Sequence, residues 1–293
     1  MDRRKFIGLS AMSIAFASLG SLKPLFENQK SDNQLLPTLF VGHGSPMNAI
    51  EQNEFTQKWK KITSNFEKPK AIICISAHWL TRGTFVTAME QPKTIHDFGG
   101  FPQALFDVQY PAPGSVDFAH WTQEAIHSAH VQYDHEWGLD HGTWSVLKNM
   151  YPDATIPVIQ LSIDCGKPPS YHFQLAQELK ELRKKGVLIM GSGNMVHNLG
   201  MVAWDKINSP GYGYDWALEI DDLFKKKIEN RDYNSLINWT GLHKQISLAV
   251  PSLDHYLPLI YSVGLSEKED EILFFNDKAV AGSLTMTSVQ FGV

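Results

Sequence analysis

Apolar runs of strand length alternate along this chain with amphipathic stretches of helix length. Residues 70–76 (Lys-Ala-Ile-Ile-Cys-Ile-Ser) and 187–190 (Val-Leu-Ile-Met) are near-continuous hydrophobic runs, the pattern of strands covered on both faces of a sheet. Shorter runs over 37–41 and 156–161, and a weakly alternating one over 84–89, predict three more strands. Between them, 55–62, 117–130, 144–150 and 171–184 read as helices, the last of them amphipathic and stopped near Gly186. Gly191-Ser192-Gly193-Asn194 reads as a sharp turn. A helix over 214–229 carries the strongest charge mixture, and helices over 242–249 and 255–264 precede a last strand over 283–290. This order predicts a single α/β domain with a central, mostly parallel sheet flanked by helices.

Two stretches depart from the rhythm. Residues 92–113 are rich in Gly, Pro and aromatics and are too long for an ordinary connector, which predicts a lid or pocket wall. At the start of the chain, Arg3-Arg4-Lys5 precedes an apolar stretch over 6–19, with Ala15-Phe16-Ala17 in the small-x-small form of a cleavage site. The paired arginines resemble a twin-arginine signal. The expected organisation is a signal peptide over 1–20, a linker over 21–35 and a catalytic domain over 36–293. It makes the twin-arginine export machinery a partner and the periplasm the destination. A cytoplasmic protein with a basic N-terminus is the alternative. The apolar stretch is short for a membrane span, and no later segment reads as one.

Composition narrows the function classes. With 293 residues, 43% hydrophobic and 19% charged, the chain can bury a sizeable core. A formal net charge of -5 without a basic stripe excludes a nucleic-acid footprint. Cys74 lies in a core run and Cys165 in a loop, and two cysteines make no disulfide framework.

The candidate chemistry lies in histidines. His43, in Val41-Gly42-His43-Gly44-Ser45-Pro46, and His78, in Ser76-Ala77-His78-Trp79, follow the ends of strand-like runs. His197 follows a Gly-rich turn and His255 follows Pro251-Ser252-Leu253-Asp254. Ligands in open α/β sheets bind beyond the carboxyl ends of strands, so these residues predict one metal pocket. Neutral imidazoles suit Zn, Fe, Ni or Cu. His141, beside Asp140 and Gly142 and between Trp137 and Trp144, is the candidate acid/base near a ring-binding cleft. In the segment 92–113, Phe98, Phe101 and Tyr110 are candidates to stack on an aromatic substrate, and His96 and Asp97 to contact its polar substituent. His120, His127, His130, His135, His172 and His243 read as surface or helix-face residues.

Six motifs together carry a specific resemblance: G-H-G-S-P at 42–46, S-A-H-W at 76–79, T-I-H-D-F-G-G-F-P at 94–102, Y-P-A-P-G at 110–114, D-H-G-T-W at 140–144 and H-Y-L-P at 255–258. From about residue 36 to the C-terminus the chain resembles the extradiol DOPA dioxygenase family, among the class III extradiol ring-cleaving dioxygenases. The resemblance implies that a small aromatic diol and O₂ are the substrates and that the fold is that of the catalytic subunit of those enzymes. It implies His43 and His78 as metal ligands and His255 where the wider class uses a glutamate. His197 falls on a position that is either a fourth ligand or an acid/base, and His141 on the other acid/base position. Four imidazoles and the bacterial members of the family imply Zn²⁺; the plant relatives imply Fe²⁺ as the catalytically active metal. Two other functions fit the same histidines: a zinc-dependent hydrolase, and an exported metal-binding protein without turnover.

Overall fold

The computed structural model describes residues 35–207, 209 and 211–292. The expected signal peptide and nearly all of the expected linker lie outside them. Six strands form the central sheet: β1 (Thr38–Gly42), β2 (Ala71–Ser76), β3 (Val158–Gln160), β4 (Val187–Gly193), β5 (Ile272–Phe275) and β6 (Ser288–Phe291), in the spatial order β3-β2-β4-β1-β6-β5. The pairings among β3, β2, β4 and β1 are parallel, whereas β1 with β6 and β6 with β5 are antiparallel. The sheet is therefore mixed but mostly parallel, as expected: β6 alone runs against the others, and β5, antiparallel to β6, runs with them at the edge.

The buried strands show why the apolar runs are continuous. Successive residues serve two cores: Phe40, Ile73, Ile75, Ile189 and Val289 face one, and Leu39, Val41, Ile72, Leu188 and Met190 the other. The first core is roofed by helices α2 (Val116–Ala125), α4 (Pro169–Glu178), α5 (Asp215–Glu229) and α6 (Leu257–Leu265), and the second by α1 (Glu54–Ile62) and α3 (His141–Met150). Each fully buried Leu, Ile or Phe in such a layer contributes about 1.5–3 kcal/mol. The described residues fall in one compact unit. None of their helices is long and apolar enough to cross a membrane.

Several predicted elements shift for identifiable reasons. α2 stops at Ala125 rather than 130, because Glu178 Oε2 accepts the backbone N–H groups of His127 and Ser128 at 2.7 and 3.1 Å. The chain then forms a strand, Val131–Asp134, paired with Thr84–Thr87. α3 begins three residues earlier than its predicted start, at His141, because Asp140 caps it. Gly191-Ser192-Gly193 completes β4 instead of turning. Of 242–249, only Ile246–Ala249 is helical. The predicted last strand divides into Leu284–Thr285 and β6. His172, expected at a surface or helix face, is fully buried where α4 packs on α6, with Nδ1 3.1 Å from the Tyr261 hydroxyl. Both cysteines are free, Cys74 buried and Cys165 exposed.

Candidate metal centre

Strand register brings the first two histidines together. Gly42 at the end of β1 pairs with Gly193 of β4, and Ser76 at the end of β2 pairs with Ser192. The next backbone donors continue the ladder: His43 N–H donates to Gly193 O at 3.0 Å and Ala77 N–H to Ser192 O at 2.9 Å. His43 and His78 thus leave the sheet at one carboxyl edge, on either side of β4. His255 reaches the same edge from just before α6, where its carbonyl accepts Asn194 N–H at 3.0 Å. A side chain on Gly193 would run into that carbonyl, so the close approach requires glycine.

His141 arrives from the opposite face as the first residue of α3. Its neighbour Asp140 accepts Thr143 N–H as a helix cap at 3.1 Å, and also accepts Ser76 Oγ–H at 2.7 Å and Gln160 Nε2–H at 2.6 Å. One buried carboxylate therefore joins the ends of β2 and β3 to the start of α3. Burial and the nearby Asp97 charge raise its pKa, against the hydrogen bonds from Gln160 and Ser76.

Among the described residues, one group of side chains has metal-ligating atoms all within 4.8 Å of one another: His43, His78 and His141. Their rings stand 5.0 Å (His43–His78), 5.7 Å (His43–His141) and 3.9 Å (His78–His141) apart between centroids. The tautomer of His43 follows from its partner. Ser192 donates its hydroxyl hydrogen to Gly142 O at 2.6 Å, so at His43 Nδ1, 3.0 Å away, it accepts. His43 then carries its proton on Nδ1 and a lone pair on Nε2, which faces His78 Nε2 at 3.1 Å. Asp97 Oδ2 lies 3.4 Å from His78 Nδ1 and 3.0 Å from His141 Nδ1, favouring the same tautomer in both. Two unprotonated nitrogens at such a distance repel each other unless a cation lies between them, so the donor set fits a metal.

The electrostatics agree. Burial, then the neighbouring imidazoles, hold His43 well below its ordinary pKa and His78 at about 2. His197 is lowered to about 3 by burial and by His255. All three are neutral, the form in which imidazole binds a metal. Burial alone would raise Asp97, but its contacts with His141 and His78 outweigh this and keep it ionised.

The other expected site residues take distinct places. The His255 ring stands 5.2 Å from His43 and 5.1 Å from His78, with Asp254 Oδ2 3.1 Å from its Nδ1. His197 stacks on His255 at 3.5 Å with planes 8° apart. Imidazole lone pairs lie in the ring plane, so two rings stacked in this way cannot both aim one at a single ion. Phe98 meets His141 edge-on at 5.6 Å and packs with Phe101 at 5.4 Å. His96 Nε2 lies 2.9 Å from Val108 O, within the loop itself. Tyr110 is buried in the second core, its hydroxyl donating to Tyr151 O at 3.0 Å. Sequence reasoning did not single out Ser192, Asp254 or the bridging position of Asp97.

Residues 37–272 match the family model described as the catalytic LigB subunit of aromatic ring-opening dioxygenase. The chain is similar to a 4,5-DOPA dioxygenase extradiol of Escherichia coli K12, 44% identical over 275 residues, 92% of this chain and 100% of the relative. It is also similar to a 4,5-DOPA dioxygenase extradiol of Beta vulgaris, 33% identical over 270 residues, 89% of this chain and 98% of the relative. A crystal structure of an uncharacterised protein from Escherichia coli K12 superposes with a TM-score of 0.76 at 40% identity, covering 88% of this chain and 100% of that one.

These findings overturn the expectation of Zn²⁺. That expectation rests on a closed set of four imidazoles and on the bacterial members of the family, and the His197–His255 stack leaves three converging donors instead. Three imidazoles leave positions open, and ring opening with O₂ calls for a metal that exchanges electrons, so this is an Fe²⁺-type site.

Proposed function

We propose that this protein, which belongs to the family of the catalytic LigB subunit of aromatic ring-opening dioxygenases, takes L-DOPA or a closely related catechol as its substrate. Its activity is metal-dependent extradiol cleavage of a catechol ring with O₂. The observation that carries this reading is the convergence of His43, His78 and His141 within 4.8 Å beside the Phe98 ring.

Bound ferrous iron would supply the electron exchange that lets O₂ react with an aromatic diol. His43, His78 and His141 present neutral nitrogens to it, and Asp97 and Ser192 fix their tautomers. Phe98 and Phe101 supply an apolar wall against which a ring can lie. His255 and His197, whose rings stack on each other at 3.5 Å, would take and return a hydroxyl proton. A second assignment, with His255 as third ligand and His141 as proton carrier, is supported by the 5.1–5.2 Å spacing of the His255 ring from His78 and His43. Metal content separates the two: the variant of His141 or His255 that loses iron identifies the ligand, and the one that keeps iron but turns over slowly identifies the proton carrier.

The activity is tested by loading the purified protein with Fe²⁺ without oxygen, adding L-DOPA and air, and recording O₂ consumption with the absorbance of the ring-opened product. O₂ uptake with unsubstituted catechols but not with L-DOPA would move the substrate elsewhere in the class. Export to the periplasm by the twin-arginine route is part of the same proposal, supported by Arg3-Arg4-Lys5 and the apolar stretch that follows. Replacing both arginines with lysine should retain the protein in the cytoplasm. A native protein found there with its N-terminus intact would overturn the export reading.

A further inference from the structure

We infer that Asp97 is a positioning residue of the metal centre, whose carboxylate aligns the rings of His78 and His141 instead of meeting a polar group of the substrate. The inference rests on the reading that this histidine group holds a metal.

The geometry uses both carboxylate oxygens. Oδ1 accepts the backbone N–H of His141 at 2.9 Å, and Oδ2 lies 3.0 Å from His141 Nδ1 and 3.4 Å from His78 Nδ1. Although the residue sits on an exposed loop, its side chain turns inward and is 18% exposed. The loop is fastened just before it. Ile95 N–H donates to Leu139 O at 2.7 Å, Leu139 N–H to Lys93 O at 2.9 Å, and Trp144 Nε1–H to Ile95 O at 2.8 Å. These bonds tie the loop to the start of α3, so Asp97 and His141 move as one unit.

The consequence is a single anion serving two rings from different elements, His78 after β2 and His141 on α3. A carboxylate at Nδ1 selects the tautomer that leaves Nε2 bare, and its charge makes each imidazole a better donor. It also fixes ring rotation, which otherwise lets two imidazoles 3.9 Å apart stack without converging on an ion. A substrate ammonium would have to compete with these contacts for the same two oxygens.

The test uses Asp97→Asn, whose amide oxygen can still accept the His141 N–H, and Asp97→Glu, which keeps the charge. Circular dichroism and thermal melting first establish that each is folded. Co²⁺ titration of the metal-free protein reads affinity and ligand geometry through the visible spectrum, with no turnover required. Asp97→Asn should bind Co²⁺ about 10–100-fold more weakly with an altered spectrum, and Asp97→Glu should recover part of the loss. With Fe²⁺, kcat should fall by the same factor for L-DOPA and for unsubstituted catechol, with the ratio of their KM values unchanged. Wild-type Co²⁺ affinity and spectrum in Asp97→Asn, with a raised KM for L-DOPA alone, would overturn the inference in favour of a substrate contact. If Asp97→Asn does not fold, an unchanged Co²⁺ affinity and spectrum with a selectively raised L-DOPA KM in Asp97→Glu overturns it, and a joint change supports it. A wild-type protein that binds Co²⁺ but cleaves no catechol would sink the ring-cleavage reading while leaving the Co²⁺ result for Asp97 intact.

Discussion

Ser192 stands 3.0 Å from His43 Nδ1 with its only hydrogen already given to Gly142 O. This relationship fixes which nitrogen of His43 is bare, and it comes from the last turn of pleat in β4 rather than from the residues beside His43. Ser192→Ala removes the acceptor and leaves a buried Nδ1–H unpaired, a cost of about 1–3 kcal/mol. His43 can escape that cost by moving the proton to Nε2, which closes its ligand position. The expected result is metal affinity weakened by about 10-fold or more in a protein that still folds, read by metal content after dialysis against a graded chelator. Unchanged iron retention would show that the tautomer is fixed by something else.

Gly142 separates the helix bearing His141 from the strand end bearing His78. A Cβ there would lie 2.6 Å from Ser76 Oγ and 2.9 Å from His78 Cδ2. Gly142→Ala must therefore displace His78 or break the 2.7 Å bond from Ser76 to Asp140. Overpacking of this kind costs about 1–3 kcal/mol. A lower melting temperature should accompany a loss of metal binding, because the same atoms carry both; a variant with wild-type melting and iron content would contradict the crowding.

Much of this arrangement can be read from the chain. The apolar runs of β1 and β2 followed at once by His43 and His78 locate two donors at strand ends, and Asp140 three residues before Thr143 is a helix-cap pattern that could have moved the start of α3 back to His141. Other parts are hidden for physical reasons. Gly191-Ser192-Gly193 has the composition of a turn, yet it is strand, its glycines admitting the backbone of 255–258. The edge strand β5 is a run of only four apolar residues, Ile272-Leu273-Phe274-Phe275, three of them not fully buried, and a run so short between charged residues does not by itself tell a strand from other structure. His197 and His255 are spaced like two ligands, and nothing in their order along the chain reveals that they stack face to face. Asp97 belongs to a loop whose composition suggests a substrate wall; its inward turn comes from backbone bonds to Leu139 and from Trp144, which only the folded chain brings near.

Acid should destabilise the metal-free protein. Burial lowers His78 to about 2, His197 to about 3 and His172 to about 4, against 6.5 in the unfolded chain. Below pH 6.5 the unfolded state binds protons that the folded state refuses, so stability falls as the pH drops from about 6.5 toward 4, and these groups contribute no slope well above 6.5. Asp221 acts in the opposite sense: burial raises it to about 6, so its contribution is present in acid and lost as the pH rises through 6. His43, also held well below its ordinary value, adds to the loss, and Asp140, also raised by burial, opposes it; four histidines against two carboxylates leave a net loss on acidification. Each proton of difference contributes about 1.4 kcal/mol per pH unit. Urea midpoints of the metal-free protein at pH 7.5, 6 and 5 should decline in that order, and His172→Phe should flatten the decline without touching the metal centre. A midpoint that rises on acidification would show that the carboxylate dominates.

The fold has a second polar centre remote from the chemistry, at Arg183. Its side chain is fully buried and pairs with both oxygens of Asp270, at 2.8 and 3.2 Å. It also donates to the carbonyls of Leu36, Leu265 and Phe291 at 2.8, 2.8 and 3.3 Å. One guanidinium thus ties the start of β1, the end of α6 and the end of β6. Removing it leaves Asp270 as a buried, unpaired charge and three carbonyls without a donor, and breaking a buried pair in this way costs about 3–5 kcal/mol. Arg183→Ala should be strongly destabilised in urea, and the remaining folded fraction should keep the iron stoichiometry of the wild type. Replacing both partners, Arg183→Met with Asp270→Leu, removes the charge imbalance and should recover a large part of the loss. If the double variant is no more stable than Arg183→Ala, the carbonyl bonds rather than the ion pair carry the stability at this point.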